Sequence, residues 1–266
     1  MKVVVITGIS SGIGLVVGKG LRDKGFKVYG LSRTKINEEN IISLEADITK
    51  QEEALKQINY IIEKENKIDI LINNAGMGIS GSIEDTEVDD IKTIFDVNFL
   101  GMFNTTKAVI PYMRAQNYGK IINISSVAAV LSIPFQAFYS STKAAVNAFS
   151  EALKNEISPF NIGVSVILPG DIKSGFTKNR RKNKTNNKAY KDRVEKSISL
   201  MEKDEQNGMD PKIMTKTILK LIKRKRMPLY VTVGFKYKIF VILQKILPKR
   251  LVNHIVGGIY GFKNVY

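Results

Sequence analysis

A tyrosine and a lysine four residues apart, Tyr139 and Lys143, are the pair of side chains in this sequence best placed for acid–base chemistry. They stand among small residues in the stretch AFYSSTKAAVNAF (137–149), and on a helix this spacing brings both side chains to one face. A phenol has a pKa of about 10, which makes it a proton donor at neutral pH. A neighbouring ammonium favours the phenolate, so we expect Lys143 to lower the pKa of Tyr139 toward working pH. Taken alone, the pair is more simply explained as part of an ordinary surface helix.

A glycine-rich turn, TGISSGIG (7–14), lies between a predicted strand and a predicted helix. Gly8 permits a tight turn, Gly12 leaves room for a phosphate to approach, and Gly14 allows the helix to pack on the sheet. The first turn of the helix offers free N–H groups and a partial positive charge to a pyrophosphate. This context predicts a dinucleotide site, with a plain tight turn as the alternative.

The end of the second predicted strand, GLSRT (30–34), indicates which dinucleotide binds. NAD-binding sheets usually place an acidic residue here for the ribose hydroxyl, and this sequence has none. Arg33 can instead make charge-assisted hydrogen bonds to a 2′-phosphate. We therefore expect NADP(H) in preference to NAD(H), with a solvated surface arginine as the alternative.

The elements that must position these residues alternate between strand and helix. Apolar runs predict strands at 2–6, 26–31, 41–46, 68–73, 120–125, 162–169 and 228–234. Helical periodicity predicts a helix from the glycine turn to 24–25 and others at 51–64, 88–113, 137–157 and 210–225. Such alternation implies right-handed crossovers and a parallel, doubly wound sheet.

Length and composition favour one α/β domain and exclude several chemistries. The chain has 266 residues, of which 44% are hydrophobic, enough for a sizeable core. It contains no cysteine, which excludes disulfides, thiol catalysis and cysteine-based zinc sites. We predict no metal site. Absence of cysteine fits a reducing cytosol, and the apolar run in MKVVVITG is too short for a signal peptide. The expected location is cytoplasmic, with a peripheral membrane position as a variant.

The net charge of +16 has more than one interpretation. A solubilising, lysine-rich surface explains it most simply, and attraction to an anionic membrane or an acidic ligand is the next alternative. Nucleic acid is least favoured, because no nucleic-acid-binding motif accompanies the charge.

Seven short motifs in order make the sequence resemble the short-chain dehydrogenase/reductase family, and the tail (235–266) resembles the C-terminal extensions of its hydroxysteroid-dehydrogenase-like members. The motifs are TGISSGIG (7–14), DI (47–48), NNAG (73–76), Asn98, SS (125–126), YSSTK (139–143) and PG (169–170). The resemblance covers nearly the whole chain. It implies a single Rossmann-type domain over 1–266, with a seven-stranded parallel sheet flanked by helices on both faces.

The resemblance also implies roles for individual residues. Asn98, Ser126, Tyr139 and Lys143 match the family's catalytic tetrad, in which Asn98 would hold a water and Lys143 would also bind the nicotinamide ribose. The residues implied at the cofactor are Gly8, Ser10, Ser11, Gly12, Ile13, Gly14, Arg33, Asp47, Ile48, Asn74, Ala75, Gly76, Tyr139, Lys143, Pro169, Gly170, Ile172 and Ser174. Ser174 stands where the family often has threonine.

Two segments lie outside the core motifs. The resemblance makes 171–208 a substrate lid, and its polar composition suggests mobility. The tail, 235–266, mixes large apolar and basic residues. An amphipathic helix on an anionic membrane is one interpretation, and packing on the domain or on a second subunit is the other.

The activity implied is hydride transfer between NADP(H) and a carbonyl or secondary alcohol. Apolar candidates for the pocket wall suggest a steroid-, retinoid- or lipid-like substrate. These candidates are Met77, Val127, Ala128, Phe135, Phe138 and Phe176. The implied assembly is a homodimer or homotetramer. The alternative is a catalytically silent, NADP(H)-binding regulator or membrane-peripheral scaffold.

Overall fold

A central sheet of seven parallel strands organises the chain. The computed structural model describes residues 1–176, 180–183 and 187–262. The strands are β1 (Val3–Thr7), β2 (Lys27–Ser32), β3 (Ile41–Glu45), β4 (Ile70–Asn73), β5 (Ile79–Ser80), β6 (Gly119–Ile124), β7 (Ile162–Pro169), β8 (Arg181–Lys182) and β9 (Tyr230–Val233). The large sheet has the order β3-β2-β1-β4-β6-β7-β9, and β5 pairs with β8 separately. This arrangement confirms the predicted fold class.

Helices cover both faces of the sheet. Successive side chains of each strand point to opposite faces, and because both sets are apolar, both faces must be covered. The helices are α1 (Gly12–Arg22), α2 (Gln51–Glu65), α3 (Val88–Phe95), α4 (Gly101–Ala115), α5 (Ala137–Ile157), α6 (Lys191–Gln206), α7 (Lys212–Lys223), α8 (Phe235–Ile246) and α9 (Lys249–Ile259). On β1, Val4 and Ile6 pack into the layer shared with α1 and α7. Val3 and Val5 pack into the opposite layer, with α2, α4 and α5. The carboxyl ends of the strands are thereby held at one edge.

The long helix expected over 88–113 contains an irregularity that the sequence did not predict. A π-helical turn at Asp96–Leu100 separates α3 from α4. Such turns widen the helix locally and occur frequently at functional sites. The turn carries Asn98, which is buried.

The segment between β7 and α7 is more regular than its polar composition indicated. Residues 191–206 form α6, on which Val194, Ile198 and Met201 are buried at helical spacing. These side chains pack against Phe135, so a small satellite core orders part of the segment whose composition suggested mobility. The remaining part of the predicted lid at 177–179 and 184–186 lies outside the described residues.

The tail folds back on the domain as two helices, α8 and α9. Val241, Val252 and Val256 are its buried anchors, and the ring of Phe262 contacts that of Phe135. This contact shows packing on the chain's own domain. Within residues 1–176, 180–183 and 187–262, no helix has the length and apolar character needed to cross a membrane. The end of the predicted extension, 263–266, is not among the described residues.

Candidate active site

The glycine turn forms a cradle at the start of α1. Gly8 and Gly12 have φ values of +68° and +55°, a region that favours glycine. A Cβ on Gly8 would lie 2.7 Å from the Cα of Ala75, and one on Gly14 would lie 2.3 Å from the Gly8 carbonyl oxygen. Ser11, at the N-cap, makes no side-chain capping bond, and the first turn of α1 has no acidic residue. The N–H groups there are therefore suited to an anionic ligand.

The NNAG loop (73–76) is tied to this turn by one threonine. The Thr7 hydroxyl oxygen accepts hydrogen bonds from the backbone N–H groups of Asn74 and Ala75, both at 3.0 Å. The Asn74 side-chain amide donates to the carbonyls of Thr7 and Gly8 at 3.0 and 3.2 Å. These four bonds fix the ends of β1 and β4 against each other.

A groove of about 300 Å³ continues from the turn across the ends of β2 and β3. Its lining includes predicted cofactor residues from four separate stretches of the sequence: Gly8, Ser10, Arg33, Asp47, Ile48, Ala75 and Gly76. Strand β2 ends at Ser32, and Arg33 follows with an exposed side chain. The Asp47 carboxylate accepts hydrogen bonds from the backbone and the hydroxyl of Thr49. The groove has the lining expected for the adenosine half of a dinucleotide.

A second cavity, of about 210 Å³, adjoins the groove at the carboxyl ends of β6 and β7. Ser126, Tyr139 and Lys143 line it together. The other predicted residues in its wall are Ser11, Gly12, Ile13, Asn74, Pro169, Gly170, Ile172 and Ser174. Among the predicted cofactor residues, Gly14 alone lines neither space, because it packs under the turn.

Tyr139 is half-buried in the cavity wall, and its phenol keeps its proton at neutral pH. Burial raises the pKa of Tyr139 to about 12, and a hydrogen bond shared with Ser126 acts in the opposite direction. The lowered pKa that we expected from Lys143 is therefore not found in this structure, because desolvation is the larger effect. A tyrosine that stays protonated at neutral pH is suited to donating a proton to a substrate oxygen.

Lys143 is buried close to the tyrosine. Its Nζ atom is 5.8 Å from the centre of the Tyr139 ring and donates to the Ile124 carbonyl oxygen at 3.0 Å. Burial lowers the pKa of Lys143 to about 8. The lysine thus remains mostly cationic at neutral pH, close to the group whose proton would move.

Asn98 is locked beside Lys143 by bonds to two elements. Its Oδ1 atom accepts from the Met77 N–H at 2.8 Å, and its Nδ2 atom donates to the Met77 carbonyl and to the Thr142 hydroxyl, both at 3.0 Å. A Cβ built on Gly76 would lie 3.3 Å from Asn98 Oδ1 and 3.5 Å from Lys143 Nζ. The π-helical turn therefore connects the NNAG loop to helix α5 at the lysine.

The cavity wall contains only some of the apolar residues that the sequence predicted for it. Of the six candidates, Val127 and Phe176 appear in the described lining; Met77, Ala128, Phe135 and Phe138 do not. The Phe176 ring lies 5.6 Å from the Tyr139 ring. Phe135 instead packs against Val194, Ile198 and Met201 of α6.

Several lining residues come from segments whose sequence carried no site motif. They are Ile133, Gln136, Asp171, Met201, Glu205, Tyr237 and Tyr260. Tyr237 and Tyr260 belong to the tail, and the Tyr237 ring covers Gly170. The Tyr237 hydroxyl donates to the Asp171 carboxylate. The tail sequence carries no motif that predicts these contacts with the cavity.

The sheet order, the cradle at α1 and a protonated tyrosine at the strand ends together define an oxidoreductase that uses a nicotinamide dinucleotide. The family model described as short chain dehydrogenase matches residues 2–185. The chain therefore belongs to the short-chain dehydrogenase/reductase family.

Individual relatives support this assignment. The chain is 40% identical over 236 residues to the 3-ketodihydrosphingosine reductase of Bacteroides thetaiotaomicron, with 88% of each chain covered. A short-chain dehydrogenase structure from Streptomyces avermitilis matches with a TM-score of 0.81 and 25% identity, covering 92% of this chain and 94% of that one. The structure of ElxO with NADP bound matches with a TM-score of 0.71 and 25% identity, covering 88% and 98%.

Proposed function

We propose that this protein reduces the ketone of a long-chain lipid, of the 3-ketodihydrosphingosine type, with NADPH. The observation that carries the proposal is the convergence of Ser126, Tyr139 and Lys143 on one cavity beside Gly170. The cofactor supplies the hydride to the carbonyl carbon. The protein's own residues position the carbonyl and deliver the proton.

Tyr139 is the proposed proton donor to the oxygen that becomes the alcohol. Its high pKa keeps the proton available during reduction. Ser126, hydrogen-bonded to it, would donate to the same oxygen as negative charge develops. The Lys143 cation would stabilise the tyrosinate that remains. These effects favour reduction over alcohol oxidation at neutral pH.

Asn98 is proposed as a positioning residue for this proton path. Its side chain is occupied by Met77 and Thr142, so its contribution comes from holding the NNAG loop and α5 at a fixed separation beside Lys143. A water held at the π-helical turn would then connect Lys143 to solvent, as the family pattern implies.

The preference for NADPH is proposed from Arg33. Arg33 lines the groove just past β2, where a 2′-phosphate would accept charge-assisted hydrogen bonds from its guanidinium. The end of β2 offers no carboxylate to a free 2′-hydroxyl. The remaining groove and cradle residues would hold the rest of the dinucleotide through the contacts implied by the family.

The substrate class is proposed from the cavity wall and from the 40% identical relative. Val127, Phe176 and Met201 offer an apolar wall for an alkyl chain. Asp171 places a carboxylate in the same wall, and burial raises the pKa of Asp171; Glu205, also in the wall, is already paired with the buried Arg180. A substrate ammonium beside the ketone would stabilise the Asp171 carboxylate and be recognised by it.

A substrate panel tests the proposal. NADPH oxidation should be fastest with 3-ketodihydrosphingosine and at least about tenfold slower with a long-chain ketone that lacks the amine, because a charged hydrogen bond is worth about 1.5–3 kcal/mol. A ketosteroid and retinal serve as the other arms. Absence of turnover with every ketone would contradict the reductase assignment. Preference for the steroid or retinal would contradict the substrate class.

The segment 171–208 is proposed to act as the substrate lid, since Phe176 and the α6 residues Met201 and Glu205 close the cavity. A homodimer or homotetramer remains our prediction for the assembly, and members of the family are commonly oligomeric.

A further inference from the structure

The two tail helices expose an unusually apolar surface. The described residues expose fourteen large hydrophobic side chains, and eight of them lie between 235 and 259. We call these eight the tail face: Phe235, Ile239, Ile242, Leu243, Ile246, Leu251, Ile255 and Ile259. A contiguous exposed apolar patch on a folded protein usually marks an interaction site.

The exposed apolar residues of α8 lie on one side of the helix. At about 100° per residue, its five members of the tail face fall within a stripe roughly 100° wide. The opposite side of the same helix buries Val241 and directs Tyr237 to the cavity. Helix α8 therefore has two apolar sides, of which one is already packed on the domain.

The charges around the tail face indicate what kind of partner it binds. Residues 235–262 contain five lysine or arginine side chains and no acidic one. On α8, Lys236 lies at one margin of the stripe and Lys238 and Lys245 lie at the other, by the same count of about 100° per residue. Long lysine side chains at the margins of an apolar stripe can extend to anionic headgroups while their stems stay on the apolar surface.

A second copy of this chain fits the tail face poorly. Pairing two such faces would bring five cations on each side together without a compensating carboxylate from the same segment. An anionic surface fits both properties, since it accepts apolar side chains and attracts the positive margins.

We propose that the tail face docks this protein on the surface of an anionic lipid bilayer. Helices α8 and α9 lie in the interface, with their buried valines still packed on the domain. The eight apolar side chains enter the boundary between headgroups and acyl chains.

Docking also has a consequence for the catalytic cavity, and this part rests on the proposed function. Tyr237 and Tyr260, which line the cavity, belong to the docked segment. A lipid ketone would then pass from the bilayer to Tyr139 along the tail, without crossing water. Lipids of low solubility would be reduced in vesicles, whereas small ketones would be reduced in solution.

Sedimentation with vesicles tests the docking. The double variant Ile242→Glu/Ile246→Glu places two charges on side chains that are 57% and 73% exposed, so the fold should tolerate them. The control Leu55→Glu/Val88→Glu makes the same charge change at positions 42% and 63% exposed on α2 and α3. We expect the wild type and the control to sediment with vesicles of phosphatidylglycerol and phosphatidylcholine, and the tail variant to lose at least about tenfold in partitioning.

Three results would overturn the proposal. The wild type could stay in the supernatant, or both double variants could lose binding equally, which would assign binding to net charge. Gel filtration could also show a dimer that only the tail variant dissociates, which would make the tail face a subunit interface. Reduction of a small soluble ketone by NADPH, measured without vesicles, should be unchanged in both double variants. Loss of docking is thereby distinguished from failure of the proposed reaction.

Discussion

Replacing Lys143 by methionine should stabilise the fold at neutral pH while removing catalysis. The side chain is buried, and burial lowers its pKa from the ordinary 10.5 to about 8. That difference, at about 1.36 kcal/mol per pH unit, corresponds to roughly 3 kcal/mol by which the folded state disfavours the lysine cation. Methionine also gives up the hydrogen bond to the Ile124 carbonyl, a loss of about 1 kcal/mol. The expected net gain is about 2 kcal/mol at pH 7.

The pH dependence identifies the cause. Between pH 8 and 10.5 the unfolded wild type holds more protons on this lysine than the folded protein, so wild-type stability rises with pH relative to the variant. The gain measured by urea unfolding at pH 7 should therefore nearly disappear at pH 10. Lys107→Met, at an exposed position on α4, is the control and should show no such convergence. A Lys143→Met variant less stable than the wild type at pH 7, or a gain independent of pH, would refute the reasoning.

Two further substitutions test the cofactor site. Arg33→Asp should raise the KM for NADPH by at least about tenfold, because one charge-assisted hydrogen bond is lost and a repulsion is gained. The KM for NADH should stay nearly unchanged. Lys35→Asp, at an exposed neighbouring position, is the control, and equal losses of NADPH affinity in the two variants would contradict a specific contact. Gly8→Ala should destabilise the protein more than Gly25→Ala in thermal unfolding, since both glycines have positive φ but only Gly8 would bring a Cβ to 2.7 Å from the Ala75 backbone; equal effects would show that the close approach is unimportant.

The sequence was most informative where local pattern and chemistry coincide. Apolar runs predicted all seven strands of the main sheet. They could be told from the helices because buried strands and amphipathic helices differ in the period of their apolar residues. Tyr139 and Lys143 could be paired from spacing alone, and the motif order then placed Ser126 and Asn98 with them. The strands and the Tyr139–Lys143 pair follow from short-range geometry, whereas the grouping of Ser126 and Asn98 with them follows from the family resemblance.

What the sequence did not reveal depends on distant contacts. Tyr237 and Tyr260 reach the cavity only because the tail folds back over Gly170, and no local pattern encodes that path. The pKa of Tyr139 was also misjudged, since the spacing shows the nearby lysine but not the burial that outweighs it. The π-helical turn at Asn98 has no composition signal of its own.

The most direct test of the central claim is the Tyr139→Phe variant, assayed for NADPH oxidation with 3-ketodihydrosphingosine and for NADPH binding by fluorescence titration. Tyr237→Phe, which removes another hydroxyl from the same cavity wall, is the matched control. We expect Tyr139→Phe to lose about 10²–10⁴-fold in turnover with cofactor affinity nearly intact, and the control to lose less than about tenfold. Turnover by Tyr139→Phe comparable to that of the wild type would contradict the assignment of Tyr139 as the proton donor.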